Sequence, residues 1–373
     1  MVLEGKVNKP MKKKIIYAVL FTMAALFQTS CGGDDVLEPQ LVNGIVLSET
    51  SITLQLNEQK ALTATVLPSD ATNKAVTWSS NKISIATVDQ NGNVTAVALG
   101  ECTIIATATD GSGVKAECQV TVKANDEQTF TVNGVSFKMK KVDGGTFTMG
   151  ATGEQSWGYT PDDDEKPTHL VTLSDYWMGE TEVTQALWYA VMGAKPTSSN
   201  SWSTTYGLGD NYPAYYISWN DCQTFITKLN QMTGKTFRMP TEAEWEYAAR
   251  GGNKSKGYIF SGSNTIDNVA WYYDNSYALG SSSPDYGTHN VATKAPNELG
   301  IYDMSGNVFE WCQDWFDPYS SGSQTNPTGS SSGFYRVLRG GSWGRYATEC
   351  RVAYRNYYSP TNTIISFGLR LAQ

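Results

Sequence analysis

The stretch FRMPTEAEWEYAARGG, residues 237–252, has the most decisive local pattern in the chain. Thr241 precedes Glu244 by three residues, the spacing of a capping box, in which each side chain satisfies a free backbone N–H at the start of a helix. Gly251 is placed where it can end that helix. One side of the helix is apolar, and it is formed by Trp245, Ala248 and Ala249. We therefore predict a short helix with one apolar face.

Two further segments have helical patterns. In SWNDCQTFITKLNQMTG, residues 218–234, Asn220 is followed three residues later by Gln223, again a capping arrangement. Apolar residues recur at helical spacing at Cys222, Phe225, Ile226 and Leu229. The segment TQALWYAVMG predicts a third helix that ends at Gly193. The other residues beyond position 130 show no long periodicity, which indicates short strands and turns.

Composition favours a globular, loop-rich protein of about two domains, given 373 residues. Apolar residues make up 40% of the chain, aromatic residues 12% and charged residues only 17%, and there are 34 glycines, which together indicate more β than α structure. The net charge is −8, and no run of Lys or Arg lies outside the extreme N-terminus. A nucleic-acid partner is therefore excluded by charge.

The N-terminus predicts export. The lysines at 12–14 precede the apolar run 15–27, so residues 11–30 read as a signal peptide whose apolar part is too short to span a membrane. The sequence QTSC resembles a lipoprotein cleavage site with acylation of Cys31, although Gln28 replaces the usual leucine. Ordinary secretion with a free N-terminal cysteine remains the alternative. The acidic tether 31–41 resembles tags that send lipoproteins to the outer face of the outer membrane, so we expect a lipid-anchored cell-surface protein.

Segment 42–123 predicts a small β-sandwich. Strand-like runs alternate with turns, and the Asn-Gly at Asn91 and the Asp-Gly at Asp110 permit the positive φ of tight hairpins. Cys102 and Cys118 flank the second turn, and in an oxidising compartment we predict a cross-strand disulfide between them. The strings ATVLPSDATNKAVTWSSN and IATVDQNGNVTAV resemble the bacterial Ig-like domain of group 2, a spacer or adhesive module. A polar linker is predicted over 124–129.

Residues 130–373 resemble the formylglycine-generating enzyme, or sulfatase-modifying factor, family. The motifs that carry the resemblance are GGTFTMG (144–150), ETEVTQALW (180–188), YISWNDC (216–222), FRMPTEAEWEYAARGG (237–252), GIYDMSGNVFEWCQDW (300–315), RVLRGGSW (336–343) and GLRLA (368–372). The resemblance implies an α+β, loop-rich, C-type lectin-like fold. The fold class predicted for the whole chain is thus an all-β Ig-like sandwich followed by such a domain, a fold that hosts both enzymes and binding proteins.

Enzymes of this family oxidise a substrate cysteine with copper held by two cysteine thiolates in the segment after GGS. In this chain Arg345 occupies the position of the first, and a guanidinium cannot ligate copper. Cys350 matches the second only with a loop three residues shorter. We expect Cys350 to form a disulfide with Cys222, and Cys312 to be a buried free thiol. A three-histidine iron site, found in other relatives, cannot be built, because the chain has two histidines.

The resemblance also implies calcium. In DMSGNVFE the side chains of Asp303 and Glu310, with backbone oxygens near Gly306 and Val308, match a calcium-binding turn of the family, and oxygen ligands suit Ca²⁺. The alternative is that Glu310 pairs with an arginine such as Arg339. A second family site would use residues of DNVAWYYDN, with a more distant carboxylate, and the residues concerned are Asn268, Val269 and Asp285.

The segment GRYATECRVAYRNYYSPTNTIIS, residues 344–366, is rich in Tyr, Asn, Ser and Thr, the residue types of antibody paratopes. It resembles the C-terminal region of retroelement-diversified receptors built on a lectin-like fold. Ordinary polar loops of a surface lipoprotein are the alternative. We predict Arg345 as a charged contact and the rest as anchors or polar contacts, namely Tyr346, Tyr354, Asn356, Tyr357, Tyr358, Thr361, Asn362 and Thr363.

The sequence therefore favours a non-catalytic receptor for an unknown protein or glycan at the cell surface. The first alternative is a copper oxidase acting on a cysteine of sulfatases, with Cys350 as its remaining thiol. The second is a structural component of a surface complex.

Overall fold

A computed structural model describes residues 38–156, 158–196 and 201–373. The predicted signal peptide and Cys31 lie outside the described residues. The chain forms two compact units, and the second contains Thr121–Gln373. No helix in the described part of the chain is long and apolar enough to cross a membrane.

The N-terminal unit is built of antiparallel strands in small sheets. Its strands are β1 Gly44–Leu47, β2 Ser51–Gln55, β3 Gln59–Ala61, β4 Ala64–Leu67, β5 Val76–Ser80, β6 Ala86–Val88, β7 Asn93–Ala96, β8 Gly100–Ala108 and β9 Lys115–Lys123. They form the sheets β2-β9-β8-β5, β3-β7-β6 and β1-β4. The predicted hairpin turns are confirmed, since Gly92 and Gly111 have φ of 85° and 88°. Every second residue of β8 is buried, as a sheet with one face in the core requires.

The predicted Cys102–Cys118 disulfide is absent from the structure, in which both cysteines are buried free thiols. The register explains the difference. Ala108 N–H donates to Val114 O, and the Thr103 hydroxyl contacts the Gln119 amide, so the strands run with Cys118 beside residue 104 rather than beside Cys102. The two thiols are diagonal neighbours on one face, and diagonal positions lie farther apart than directly opposed ones.

The C-terminal unit combines three small sheets with three helices among its described residues. Its strands are β10 Glu127–Val132, β11 Val135–Val142, β12 Gly145–Met149, β13 His169–Leu173, β14 Tyr176–Gly179, β15 Phe309–Trp315, β16 Gln324–Thr325, β17 Arg336–Arg339, β18 Arg355–Tyr358 and β19 Phe367–Gly368. The sheet orders are β10-β11-β14, β12-β13-β16 and β18-β17-β15-β19. The predicted linker 124–129 is shorter in the structure, because its last three residues already belong to β10 and pair with β11.

The helices are α1 Gln185–Met192, α2 Trp219–Thr233 and α3 Glu242–Ala249. The capping box of α3 is confirmed, with Thr241 accepting from Glu244 N–H and Glu244 accepting from Thr241 N–H. The start predicted for α2 is wrong by two residues: Ser218 is the N-cap and Asp221 its partner. Trp188 of α1 stacks on Phe225 of α2, with ring centroids 5.0 Å apart, which joins the two helices in the main core.

Buried arginine–glutamate pairs hold the loops of this unit together. The pairs with the most buried side chains are Arg370–Glu310, Arg339–Glu246, Arg351–Glu165 and Arg355–Glu242. Each joins segments far apart in sequence, and each guanidinium also donates to a backbone carbonyl of a loop. The loops thereby gain fixed positions without regular hydrogen-bonded structure.

Candidate ligand-binding surface

Cys350, the thiol on which an oxidative chemistry would depend, is fully buried. It lies in a core cluster with Ile259, Phe260 and Val269, and burial raises the pKa of its thiol to about 12. Its sulfur lies against Gly341, where an added Cβ would approach it to 2.5 Å. A thiol in this setting stays protonated, and the thiolate is the form that ligates copper or attacks.

The predicted Cys222–Cys350 disulfide is wrong. Cys222 lies on the buried face of α2 in the main core, whereas Cys350 lies in a separate cluster under the C-terminal loop, and both are free. Cys312 is a buried free thiol, as predicted. Burial raises the pKa of the Cys222 and Cys312 thiols well above the ordinary value.

Arg345 is half-buried and is held by its neighbours. Its guanidinium donates to Glu349 Oε1 at 3.2 Å, and the hydroxyl of Tyr354 donates to the same oxygen at 3.2 Å. The guanidinium also lies 5.7 Å from the centroid of the Phe309 ring. Arg345 and Tyr354 are thus brought together, but through Glu349, a carboxylate that the sequence did not single out.

Tyr346 belongs to a group of aromatic side chains that we call the tyrosine cluster: Tyr206, Tyr273, Tyr277, Tyr286, Trp343 and Tyr346. The ring centroids of Tyr346 and Tyr273 are 4.4 Å apart, and those of Tyr277 and Trp343 are 5.7 Å apart. Tyr346 is 57% exposed and Tyr277 44% exposed, whereas Trp343 is buried beneath them. The indole N–H of Trp343 has no hydrogen-bond partner among the described residues.

The predicted contacts on β18 do not form one surface. Successive side chains of a strand point to opposite faces. Tyr357 packs on Phe316 with centroids 4.0 Å apart and near Tyr335, while Tyr358 packs on Phe367. Asn356 is half-buried and shares the face of Tyr358. Tyr357 therefore lies on the opposite face of β18 from Asn356 and Tyr358.

Three predicted polar contacts lie in the turn after β18. Thr361 and Asn362 are exposed and Thr363 is half-buried. The turn is closed by Asn362 N–H donating to Ser359 O at 3.0 Å. The hydroxyl groups of Ser359 and Thr361 are hydrogen-bonded to each other at 3.0 Å, and the exposed side chains of Thr361 and Asn362 can meet solvent or a ligand.

The predicted calcium turn does not fit the structure at Glu310. Both carboxylate oxygens of this fully buried residue accept from Arg370, and Oε2 also accepts from the indole of Trp245 at 2.6 Å. The alternative, an ion pair with arginine, is the one that the structure contains, but the partner is Arg370 rather than Arg339. Glu310 therefore has no oxygen left for a cation.

The other residues predicted to bind calcium have separate structural roles. Asp303 Oδ2 accepts from Ala292 N–H at 2.7 Å, Gly306 N–H donates to Gly340 O, and Val308 is fully buried. Of the second predicted site, Val269 is buried and Asn268 and Asp285 are exposed. Among the residues that the structure describes, no group of three or more His, Cys, Asp or Glu side chains is arranged to hold a metal ion.

Sequence reasoning missed Glu182, whose carboxylate is buried beside Asp303 and has no hydrogen-bond partner among the described residues. Burial, with the charge of Asp303 second, raises the pKa of Glu182 well above its ordinary value, and burial raises that of Asp303 to about 6. It also missed the loop tyrosines of the tyrosine cluster, which come from three separate segments. The abundance of Tyr in those loops was the available signal.

Comparison with known proteins places both units in families. Residues 126–373 match the sulfatase-modifying factor enzyme 1-like domain, and residues 41–122 match the bacterial Ig-like domain of group 2. The formylglycine-generating enzyme of Streptomyces coelicolor is 31% identical over 62% of this chain and 88% of its own length. Chaperone protein LppX of Paenibacillus barcinonensis is 31% identical over 54% of this chain and 81% of its own.

A solved structure has the same fold over the same region. Treponema denticola variable protein 1 is 33% identical, with a TM-score of 0.57, over 66% of this chain and 99% of that one. The match covers nearly the whole of that protein, so its fold corresponds to the C-terminal unit here. The chain therefore belongs to the sulfatase-modifying factor enzyme 1-like family, with a bacterial Ig-like domain of group 2 preceding the family domain.

Proposed function

We propose that this protein is a cell-surface lipoprotein whose family domain binds a ligand without catalysis. The ligand would be a protein or glycan at the surface, and it would contact the tyrosine cluster together with Arg345 and the turn at 361–363. The observation that carries the proposal is the contrast within one loop: Cys350 is fully buried, while Tyr346, four residues earlier, is exposed on a layer of aromatic rings.

The chemistry of the tyrosine cluster suits recognition. Tyrosine offers a large amphipathic surface with few rotatable bonds, so ordering it on binding costs little entropy. Trp343 closes the base of the cluster, where it is buried and supports the more exposed ring of Tyr277. Aromatic anchors around a buried centre are typical of residues that dominate binding energy.

The relatives point the same way. The solved relative is described as a variable protein, and the segment 344–366 here has the residue types expected of diversified positions on a fixed frame. We infer that this segment varies between copies of the gene. A near-copy of the 3′ end that differs mainly at adenines, beside a reverse transcriptase gene, is the expected genomic arrangement. If the locus has neither, segment 344–366 does not vary and the protein is a receptor of fixed sequence.

The binding test uses a matched pair of variants. Tyr346→Ala removes an anchor that is 57% exposed, and Tyr189→Ala removes a tyrosine of α1 that is 48% exposed and is not a member of the cluster. The wild-type protein is first screened against a glycan array and a panel of purified surface proteins. For any binder found, Tyr346→Ala should weaken binding at least tenfold and Tyr189→Ala should not. Equal effects of the two substitutions would refute this surface.

Copper-dependent oxidation is the second candidate, because relatives of comparable similarity are named formylglycine-generating enzymes. It needs paired thiolates near the substrate cysteine. Incubation with cuprous ion and a cysteine peptide should therefore yield no aldehyde. Aldehyde formation that is lost in Cys350→Ser would replace our proposal with the enzymatic one.

A further inference from the structure

A cavity of about 340 Å³ lies on a different part of the family domain, between the start of α3, the end of β15 and the loop that follows it. Its floor includes Asp314, which is only 5% exposed. The walls carry hydroxyl and amide groups, which belong to Tyr319, Ser320, Gln324, Thr328 and Ser330. None of these residues belongs to the tyrosine cluster.

Only one of the two carboxylate oxygens of Asp314 has a hydrogen-bond donor among the described residues. Its Oδ2 accepts from Glu242 N–H at 3.0 Å, at the start of α3. Its Oδ1 accepts from no described residue, although the atom lies beside Gly329, where an added Cβ would be 3.0 Å from it. Asp314 lines the cavity, so a donor group bound there can reach this oxygen and supply the carboxylate with a second hydrogen bond.

A second acceptor faces the same space. His169 is 5% exposed and lines the cavity, and its Nδ1 lies 3.2 Å from Pro167 O. Since a carbonyl can only accept, Nδ1 carries the proton in that contact, which leaves Nε2 as an acceptor in the neutral ring. The cavity is therefore lined by two residues, Asp314 and His169, that each offer an acceptor.

The charged side chains around Asp314 form ion pairs with one another. Arg355 pairs with Glu242, and Arg339 pairs with Glu246 and lies near Glu242. The other charged or titratable groups that face Asp314 or line the cavity are Glu244 of α3, Arg336 of β17, His169 of β13, and Asp317 and Tyr319 of the following loop.

Two cations are near enough to be considered for Asp314: Arg355, which lines the cavity but is paired with Glu242, and Arg336. The guanidinium of Arg336 stacks on Trp315 at 3.4 Å and donates to Gln313 O at 2.6 Å. In the described part of the chain it makes no ion pair with Asp314. Asp314 is thus a buried acid without a counterion.

We propose that this cavity binds a small polar molecule that carries a primary ammonium group, of the size and chemistry of an amino sugar. The ammonium would donate to Asp314 Oδ1 and His169 Nε2, and ring hydroxyls would meet the hydroxyl and amide groups of the walls. An ammonium supplies three N–H donors for these acceptors and a positive charge for the ionised carboxylate. The cavity volume falls within the range of small-molecule sites.

Proton linkage gives the site a signature. Burial raises the pKa of Asp314 to about 8, with the charge of Glu242 second among the causes. An ammonium binds the ionised carboxylate, so binding releases the proton. Only a small fraction of Asp314 is ionised at pH 6 and about half at pH 8, so the apparent affinity should rise by more than about tenfold over that range.

The test measures binding of glucosamine, glucose and N-acetylglucosamine to the full-length protein by calorimetry or saturation-transfer NMR. Glucosamine should bind with millimolar affinity at pH 8, at least about tenfold tighter than the two neutral sugars. Asp314→Asn keeps an acceptor for Glu242 N–H and should abolish the preference. Its unfolding curve checks that it folds.

The pH series on the wild-type protein needs no variant. The proposal fails if glucosamine does not bind, if it binds no better than glucose, or if its affinity is the same at pH 6 and pH 8. A preference for glucosamine that persists in Asp314→Asn would also overturn it. The tyrosine-cluster proposal is unaffected by any of these results, because its variants lie elsewhere.

Discussion

Replacing Glu310 with glutamine tests the interior of the family domain. Glu310 and Arg370 are both fully buried, and the guanidinium contacts the carboxylate through Nε at 2.9 and 3.0 Å and through Nη2 at 2.6 Å. Glutamine keeps the shape and one acceptor oxygen, which the indole of Trp245 can still use. The guanidinium of Arg370 remains buried without a counter-charge.

The expected cost follows from that geometry. Removing one partner of a buried ion pair typically destabilises by about 3–5 kcal/mol, because the remaining charge has lost its compensation. Arg370 keeps its bonds to the carbonyls of Gly179 and Tyr302, which places the expectation near the lower end, at about 3 kcal/mol. Asp163→Asn is the matched control, since the Asp163–Lys166 pair is exposed and should change stability by less than about 1 kcal/mol.

Urea unfolding followed by tryptophan fluorescence is the assay. Ten of the eleven tryptophans lie beyond residue 130, so the signal reports mainly on the family domain. Each protein is measured with calcium and with a chelator. A loss below about 1 kcal/mol in Glu310→Gln would refute the ion-pair argument. If the chelator destabilised the wild type as much as the substitution does, and had no effect on Glu310→Gln, Glu310 would be a calcium ligand.

Three further expectations follow. Cys350 should resist alkylation in the folded protein and react once urea unfolds it, and labelling of the folded form by mass spectrometry would contradict its burial. Because the pKa of Asp314 is raised to about 8 on folding, the folded state binds more protons than the unfolded state above about pH 4. Stability should therefore fall as pH rises from about 4 through about 8, by an amount on the order of several kcal/mol, and Asp314→Asn should flatten that dependence in urea titrations. Cys31→Ser should abolish incorporation of labelled palmitate and release the protein from membranes, and unchanged fractionation would remove the lipid anchor from the proposal.

Local patterns predicted the helices well, because their signals lie within a few residues of one another. The capping box of Thr241 and Glu244 and the glycine after α1 are contacts of this kind. The family motifs supplied the rest of the architecture. Nothing local indicates that β15 pairs in parallel with β19, where Phe309 lies beside Phe367.

The charged interior is what sequence patterns could not provide. Charged residues are expected at the surface, so Glu310, Glu246 and Glu182 carry no signal of their burial. Glu310 was assigned either to calcium or to Arg339, and the choice of Arg370 depends on a contact 60 residues away. The tyrosine cluster was not predicted as a whole, because its members are far apart in sequence. Tyr346 was identified, but its neighbours Tyr273 and Tyr277 come from a distant loop.

The C-terminal segment separates residues that build the frame from residues that face solvent. The side chain of Cys350 packs beneath Gly341, its carbonyl accepts from Ser305, and Arg351 is clamped by Glu165, so the backbone of this turn is fixed from below. Tyr346 and Thr348 point outward from the same turn. Because the buried contacts do not involve those side chains, the outer residues can change without disturbing the fold. A loop of this construction suits recognition, since its chemistry is adjustable while its shape is kept.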